Sequence, residues 1–158
     1  KLWIALFCFS TLLFNLSTSI LLFDKVACEN TVVTGIKTPK ITIVVINNQI
    51  LGKPKDYNDA VRMLKLLQNN THQVMTGVSL IQNNNVDTFV DIAEVTFKEM
   101  TQEDIDTYLN LDKPFDKAGA YGIQDPHANF VKEIKGDYYT IMGLPKDKLS
   151  HHLTKFIK

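Results

Sequence analysis

The 158-residue chain is predicted to fold as an α/β or α+β domain, in which helices flank a curved mixed sheet. Three observations carry this prediction. β-Branched runs alternate along the chain with stretches whose apolar residues recur at helical spacing. Turn residues, asparagine above all, separate neighbouring strand segments. The length suffices for one domain with a sizeable core.

The first half of the body contains a hairpin and a helix. Residues 41–51 form a β-branched run interrupted by Asn47 and Asn48. Asparagine tolerates positive φ, so this pair suits a two-residue hairpin turn. Asp56 is predicted to cap the following helix. That helix presents an apolar stripe and is expected to stop at Asn69.

The second half returns to the sheet. We expect strands at 72–82 and 86–98, joined by a long hairpin of three asparagines. Thr101 is placed to cap a short helix. Turn-rich sequence follows, and then strand segments are predicted on both sides of a turn at Gly136. An amphipathic helix over 146–157 closes the chain.

The N-terminal segment differs from the rest of the chain. Residues 1–23 contain a single charge, and their apolar run is long enough to cross a hydrocarbon core as a helix, which needs ~20 residues. A membrane span or a signal sequence is one interpretation. The other is that the segment is not native to the domain, through a missing upstream piece or a misread gene. Residues 24–40 are a polar connector, and 41–158 form the predicted domain.

Composition limits the classes of partner. Seventeen basic residues balance seventeen acidic ones without a basic stripe, so nothing indicates DNA or RNA binding. A nucleotide is a feasible ligand, because a pocket needs only a few cations. The cysteines, Cys8 and Cys28, precede a cysteine-free body. That usage fits a cytoplasmic location and excludes a disulfide-stapled or zinc-cysteine domain.

Two loops carry residue types suited to a nucleotide. Lys53 follows a glycine and precedes a proline, so it could reach a phosphate, although a solvated turn lysine is the simpler interpretation. In the small-residue loop 116–124, Asp116 could hold a divalent metal or orient Lys117. Gln124 offers a donor and an acceptor to the edge of a base. An ordinary glycine-rich turn is the alternative here.

Six segments, taken in order, resemble the Maf family of nucleoside triphosphate pyrophosphatases. They are TIVVINNQILGKPKD (42–56), RML (62–64), THQVMTGVSLI (71–81), AEVTF (93–97), DKPFDKAGAYGIQ (112–124) and KGDYYTIMGLP (135–145). The sequence of the fifth segment is similar to that of the family branch that prefers dTTP and UTP. It is also similar to animal proteins that join such a domain to a methyltransferase-like one.

The resemblance implies a Maf/inosine triphosphatase-like fold and hydrolysis of a nucleoside triphosphate to monophosphate and pyrophosphate, assisted by Mg²⁺ or Mn²⁺. It also implies a homodimer, removal of non-canonical nucleotides and restraint of septum formation. Lys53, Lys117 and Gln124 match positions that the family places around its substrate. Thr42 matches the position beside the catalytic aspartate, where threonine accompanies pyrimidine preference. Asp116 is the candidate metal ligand.

The chain departs from the family in its catalytic groups. The S-x-S-P-R-R motif with which the family binds the triphosphate of its substrate does not occur in this sequence. The single arginine is Arg62, within a predicted helix. Ile41 stands at the position of the general base, and isoleucine accepts no proton. We therefore expect little or no activity. The resemblance also implies that the fold is incomplete at its N-terminus, with sheet edges left open, so we expect marginal stability.

Three functional hypotheses follow. The first is a pyrophosphatase whose sequence is truncated or mis-joined upstream of Thr42. The second is a catalytically inactive module that binds nucleotides or partners through the distal half of the pocket. The third is a membrane-anchored or secreted protein that reuses the fold, with membrane contact only through residues 1–23.

Overall fold

The computed structural model describes residues 29–33 and 35–157, whose strands form one antiparallel sheet. Its strands are β1 (Glu29–Val33), β2 (Ile36–Ile46), β3 (Gln49–Leu51), β4 (Thr71–Gln82), β5 (Asn85–Phe97) and β6 (Val131–Lys135). The helices are α1 (Tyr57–Leu67), α2 (Gln102–Asp112), α3 (Tyr138–Ile141) and α4 (Lys146–Phe156), with a 3₁₀ turn at Ala118–Ala120. None of these described helices has the length and apolarity to cross a bilayer. The predicted membrane or signal segment, 1–23, lies outside the described residues.

The strand order confirms the predicted fold class, with one difference. The strands follow the order β1-β2-β4-β5-β6, and β3 also pairs with β2. Every described pairing is antiparallel, whereas the sequence suggested a mixed sheet. The reason is that short turns connect most successive strands, and a parallel pair needs a crossover of a dozen or more residues.

Asparagine turns set the register of the two main hairpins. Asn47 and Asn48 have φ angles of 48° and 60°, as the predicted hairpin requires. Between β4 and β5, Gln82 pairs with Asn85. That turn therefore has two residues rather than the expected three, because one asparagine extends the ladder.

β2 begins earlier than the sequence suggested. It starts at Ile36, inside the segment 24–40 that was interpreted as a connector. The side chain of Ile36 is buried, and residues 36–40 pair with β1 on one edge. Cross-strand pairing therefore overrides the turn-forming composition of this stretch.

Capping residues start the two main helices as predicted. The Asp59 amide donates to Oδ1 of Asp56 at 2.8 Å, and Thr101 and Asp104 form a reciprocal capping box. Both helices pack their apolar faces on one side of the sheet. The buried residues of α1 are Ala60, Met63, Leu64 and Leu67, and those of α2 are Ile105, Tyr108 and Leu109.

The prediction of a strand after Gly136 is wrong. The chain forms the short helix α3 instead, because the Asp137 carboxylate accepts the Tyr139 amide at 2.9 Å and caps a helical turn. Gly136 itself has a φ of 109° and lies against the Ala93 backbone. The closing helix α4 is confirmed. Its Lys148 donates to the Val90 carbonyl at 2.7 Å, which ties α4 to β5.

Candidate functional site

A cavity of about 310 Å³ opens on the sheet face that carries α1 and α2. Five segments line it: the middle of β2, the loop after β3, Val74 of β4, the loop 116–125 and the stretch that leaves α3. The structure brings all the sequence-predicted binding residues to this one cavity. They are Thr42, Lys53, Asp116, Lys117 and Gln124.

A backbone clamp joins the two loops that carry the lysines. The Gly119 amide donates to the Gly52 carbonyl at 3.0 Å. Gly119 has a φ of 73°, and a Cβ at this position would lie 3.0 Å from Cγ2 of Val44. Glycine is therefore required on two counts, conformation and space. The clamp places Lys53 and Lys117 at the same end of the cavity.

This end of the cavity carries a cationic cluster. Lys117 Nζ lies 3.0 Å from Oδ1 of Asp116, whose side chain is 73% exposed. The hydrogen bond from Lys117 lowers the pKa of Asp116, and the charge of Lys53 adds a smaller effect in the same direction. Two ammonium groups thus stand beside one ionised carboxylate, which leaves a net positive charge suited to a polyanion.

The carboxylates on the cavity wall do not fit a divalent cation held by the protein alone. Asp116 is paired with Lys117, and Asp125 accepts hydrogen bonds from the Tyr108 hydroxyl at 2.6 Å and the Gly122 amide at 3.0 Å. No cluster of three or more His, Cys, Asp or Glu side chains with metal-ligand geometry occurs in the described residues. The metal role predicted for Asp116 therefore has no supporting ligand set here.

Asp125 is a structural residue of the site that sequence reasoning missed. It holds the loop through Tyr108 and Gly122, and burial raises the pKa of the Tyr108 hydroxyl above its ordinary value. A Cβ at Gly122 would lie 2.4 Å from Oδ1 of Asp125, so any larger residue would displace this carboxylate from its hydrogen bonds. The network fixes the loop that exposes Gln124 at the cavity wall. The signal in the sequence was the Gly-x-x-Asp spacing after the small-residue run.

Thr42 lies on the cavity wall and is hydrogen-bonded behind it. Its Oγ1 lies 2.9 Å from Oγ1 of Thr76, which donates to the Thr140 carbonyl at 2.7 Å. Thr76 and Thr140 are fully buried. Sequence reasoning gave Thr140 no role, because its partner stands 64 residues away in the chain.

Ile41, which stands at the expected proton-acceptor position, does not line the cavity. Side chains alternate along a strand, so Ile41 leaves β2 on the face opposite Thr42. Its cross-strand partner is Gly77, and its own side chain is partly buried. The catalytic comparison made for this position thus stays a prediction.

A buried histidine lies behind the cavity wall. His72 is 1% exposed, and its Nε2 lies 2.8 Å from the hydroxyl of Tyr121, a lining residue. Phe97 makes an edge contact with the His72 ring. Burial lowers the pKa of His72 to about 4, so the ring is neutral near pH 7. These contacts give His72 a structural role in the core behind the cavity.

Comparison with known proteins connects this geometry to a family. The family model described as Maf-like protein matches residues 24–156. The chain belongs to the Maf family. The resemblance that the sequence motifs suggested is thereby confirmed, and the match begins ahead of β1, upstream of the domain start predicted at residue 41.

Three relatives of this Maf-family chain share one functional name. A dTTP/UTP pyrophosphatase of Bacillus cytotoxicus is 50% identical over 115 residues, which are 73% of this chain and 60% of that protein. The dTTP/UTP pyrophosphatase of Halalkalibacterium halodurans is 52% identical over 104 residues, or 66% and 55% of the two chains. That of Bacillus pumilus is 49% identical over 115 residues, 73% and 61%. The chain spans about 60% of the length of the curated relatives it matches.

Proposed function

We propose that this Maf-family protein acts on pyrimidine nucleoside triphosphates of the dTTP and UTP type as a nucleotide pyrophosphatase. The observation that carries the proposal is the single cavity that collects Lys53, Lys117 and Gln124. The relatives with about half of their matched residues identical are named dTTP/UTP pyrophosphatases, which supports the same substrate class.

The reaction is the hydrolysis of a phosphoanhydride. The oxygen of water forms a bond to the α-phosphorus, and the bond from that phosphorus to the bridging oxygen breaks. Pyrophosphate leaves with the electron pair, the nucleoside monophosphate remains, and the proton of water passes to a base or to solvent. Lys53 and Lys117 are suited to bind the triphosphate oxygens and to offset the negative charge. Gln124 is suited to pair with polar atoms of the base.

We also propose that this chain catalyses the hydrolysis slowly. Among the described residues, the carboxylates that line the cavity are Asp116 and Asp125, and both are engaged by hydrogen-bond donors. Ile41 cannot accept a proton, and it faces away from Thr42. This combination favours the second candidate function, nucleotide binding without efficient turnover, for the chain as it stands.

The remaining expectations depend on the same activity. We propose that a divalent cation, Mg²⁺ or Mn²⁺, arrives with the nucleotide, because Mg²⁺ is usually bound through one or two carboxylates together with substrate phosphates. A homodimer is inferred from the family resemblance, and a cytoplasmic location from the cysteine-free body. Size-exclusion chromatography with light scattering and cell fractionation address these two points.

Two measurements on the full chain test the function. Calorimetric titration with α,β-imido-dUTP, which resists cleavage, measures binding, and release of pyrophosphate from dTTP and UTP with Mg²⁺ or Mn²⁺ measures turnover. We expect saturable binding of the analogue and slow release of pyrophosphate. Absence of binding refutes the assignment of the cavity. Rapid turnover supports the enzyme and refutes the proposed impairment.

A further inference from the structure

The hydrogen bonds behind Thr42 fix the direction of its hydroxyl proton. A threonine hydroxyl carries one proton, and a carbonyl oxygen accepts only. The Thr76 proton is therefore committed to the Thr140 carbonyl, 2.7 Å away. In the 2.9 Å contact between Thr42 and Thr76, the proton must then come from Thr42.

Thr42 consequently meets the cavity as an acceptor. Its proton points along the sheet face toward Thr76, so Oγ1 offers its lone pairs to a ligand. Thr76 and Thr140 are 0% exposed, so water does not compete for their bonds. Gly143 closes one side of the hydroxyl, because a Cβ there would lie 3.0 Å from Thr42 Oγ1.

The carbonyl at the end of this chain of bonds is itself held in place. The Thr140 hydroxyl donates to Oδ2 of Asp91 at 2.5 Å. Lys148 of α4 lies 3.1 Å from the other carboxylate oxygen of Asp91. The segment that presents the Thr140 carbonyl is therefore tied to β5 and to α4. These contacts hold the acceptor that sets the direction of the hydrogen bonds from Thr42 to Thr76 and from Thr76 to Thr140.

We propose that Thr76 and Thr140 are positioning residues that hold Thr42 as an acceptor for the N3–H group of uracil or thymine. The inference rests on the proposed function and names the group that selects the base. Uracil and thymine carry a proton on N3, whereas N3 of cytosine is an unprotonated acceptor. Cytosine would set two lone pairs against each other at Thr42, and buried mismatches of this kind discriminate strongly.

The rest of the cavity is consistent with a base at Thr42. Phosphate oxygens are acceptors, so Thr42 disfavours them, and the cationic end with Lys53 and Lys117 suits them. Ile141 and Met142 line the wall next to Gly143 and offer apolar surface to a flat ring. The uracil carbonyls that flank N3–H require donors, and the Gln124 amide, which lines the same cavity, can supply one. The N3–H group, one carbonyl and the ring face thus each have a complementary group.

The test compares the affinities of α,β-imido-dUTP and α,β-imido-dCTP by calorimetry. Thr76→Val keeps the shape of the side chain and removes the hydroxyl, so Thr42 is released to donate toward the cavity. We expect the preference for the dUTP analogue to fall about tenfold, the worth of one well-placed hydrogen bond. Thr76→Ser retains the hydroxyl and should restore the preference. Ser79→Ala is the matched control, because Ser79 lies on β4 like Thr76, bonds Thr88 of β5 at 3.0 Å and does not line the cavity.

Thr42→Val guards against a Thr76 variant that fails to fold, since Thr42 is only partly buried. It should show the same loss of preference. An unchanged ratio in these variants overturns the inference and leaves the proposed function standing. So does an equal loss for both analogues, which would place a sugar hydroxyl at Thr42. If the unmodified protein binds neither analogue, the proposed function fails and the inference fails with it.

Discussion

The amide of Gly119 donates a 3.0 Å hydrogen bond to the carbonyl of Gly52, across 67 positions of sequence. This bond explains why two short motifs that look unrelated in the sequence act as one structural unit. Lys53 follows one glycine directly and Lys117 stands two residues before the other. The relative position of the two cations therefore depends on a backbone contact and on the absence of a side chain at residue 119.

Gly119→Ala should destabilise the protein and weaken nucleotide binding. The new Cβ would lie 3.0 Å from Cγ2 of Val44, and φ is 73°, a conformation that alanine disfavours. Strain and crowding of this kind cost about 1–3 kcal/mol of unfolding free energy. Urea unfolding measures the stability, and titration with α,β-imido-dUTP measures the binding.

Gly52→Ala is the matched control for this substitution. Gly52 lines the same cavity, but a Cβ there meets nothing within 4 Å, and its carbonyl remains available to Gly119. We expect a change in stability within about 0.5 kcal/mol, as for an unconstrained surface site. Equal effects of the two substitutions would refute the role of the clamp.

Local signals in the sequence predicted most elements of the fold. The turn at Asn47 and Asn48 and the caps at Asp56 and Thr101 were found because each depends on residues within a few positions of one another. Gly136 was placed in a turn correctly, but the following strand was not. The carboxylate of Asp137 satisfies a helical amide and so selects a helix over a strand.

The candidate site was predictable only in part, because its contacts are long-range. Motif resemblance pointed to Lys53 and Lys117, and the structure brings both to one cavity. The support behind the site could not be foreseen in this way. Thr76 and Thr140 meet only because α3 packs against β4, a tertiary arrangement that no spacing in the sequence encodes.

Replacing Lys53 or Lys117 should weaken phosphate binding and should make that binding less sensitive to salt. Lys117→Gln and Lys53→Gln each remove one ammonium from the cationic end, and we expect about a tenfold loss of affinity for α,β-imido-dUTP. The affinity should also fall less steeply as salt rises, because fewer charges remain to be screened. Calorimetric titrations at several NaCl concentrations measure both effects.

Lys65→Gln provides the control for the lysine variants. Lys65 is an exposed lysine in the last turn of α1 and does not line the cavity. It removes the same formal charge from the protein, so it accounts for any general effect of net charge. An affinity loss as large as that of Lys117→Gln would show that the cavity lysines make no specific contact.

Asp116→Asn should strengthen binding of the nucleotide analogue in the absence of divalent metal. The carboxylate accepts a hydrogen bond from Lys117 at 3.0 Å and competes with phosphate for that ammonium. Removing its charge leaves Lys117 available and raises the positive potential of the site. Titration with α,β-imido-dUTP in EDTA measures the change, with exposed Glu99→Gln as the charge-matched control.

The Asp116→Asn variant also tests whether Asp116 is a metal ligand or only a hydrogen-bond partner of Lys117. Repeating the titration with Mg²⁺ separates the two roles. If Asp116 serves only to orient Lys117, Mg²⁺ should change the affinities of both proteins by a similar factor. A metal effect that is present in the unmodified protein and lost in Asp116→Asn would instead support the metal role, against the geometry described for this carboxylate.

His72 should make the protein less stable as the pH falls from about 6.5 to about 4. Burial lowers the pKa of His72 to about 4 in the folded state, against 6.5 for an unperturbed histidine. Between these values the unfolded chain binds more protons than the native protein, so acid favours unfolding. The shift corresponds to about 3 kcal/mol. Urea unfolding at pH 7.0 and pH 4.5 measures most of this loss.

Two variants isolate the contribution of His72. His72→Gln removes the titrating group and keeps an amide that can bond the Tyr121 hydroxyl, so its stability should vary less with pH in this window, whatever its absolute value. His151→Gln, at an exposed position on α4, should retain the dependence of the unmodified protein. Carboxylates such as Asp59 and Asp104 have pKa values lowered from 3.8, so they lose their charge below the window. An unchanged pH dependence in His72→Gln would contradict this prediction, because it would mean that His72 binds its proton equally well in the folded and the unfolded protein.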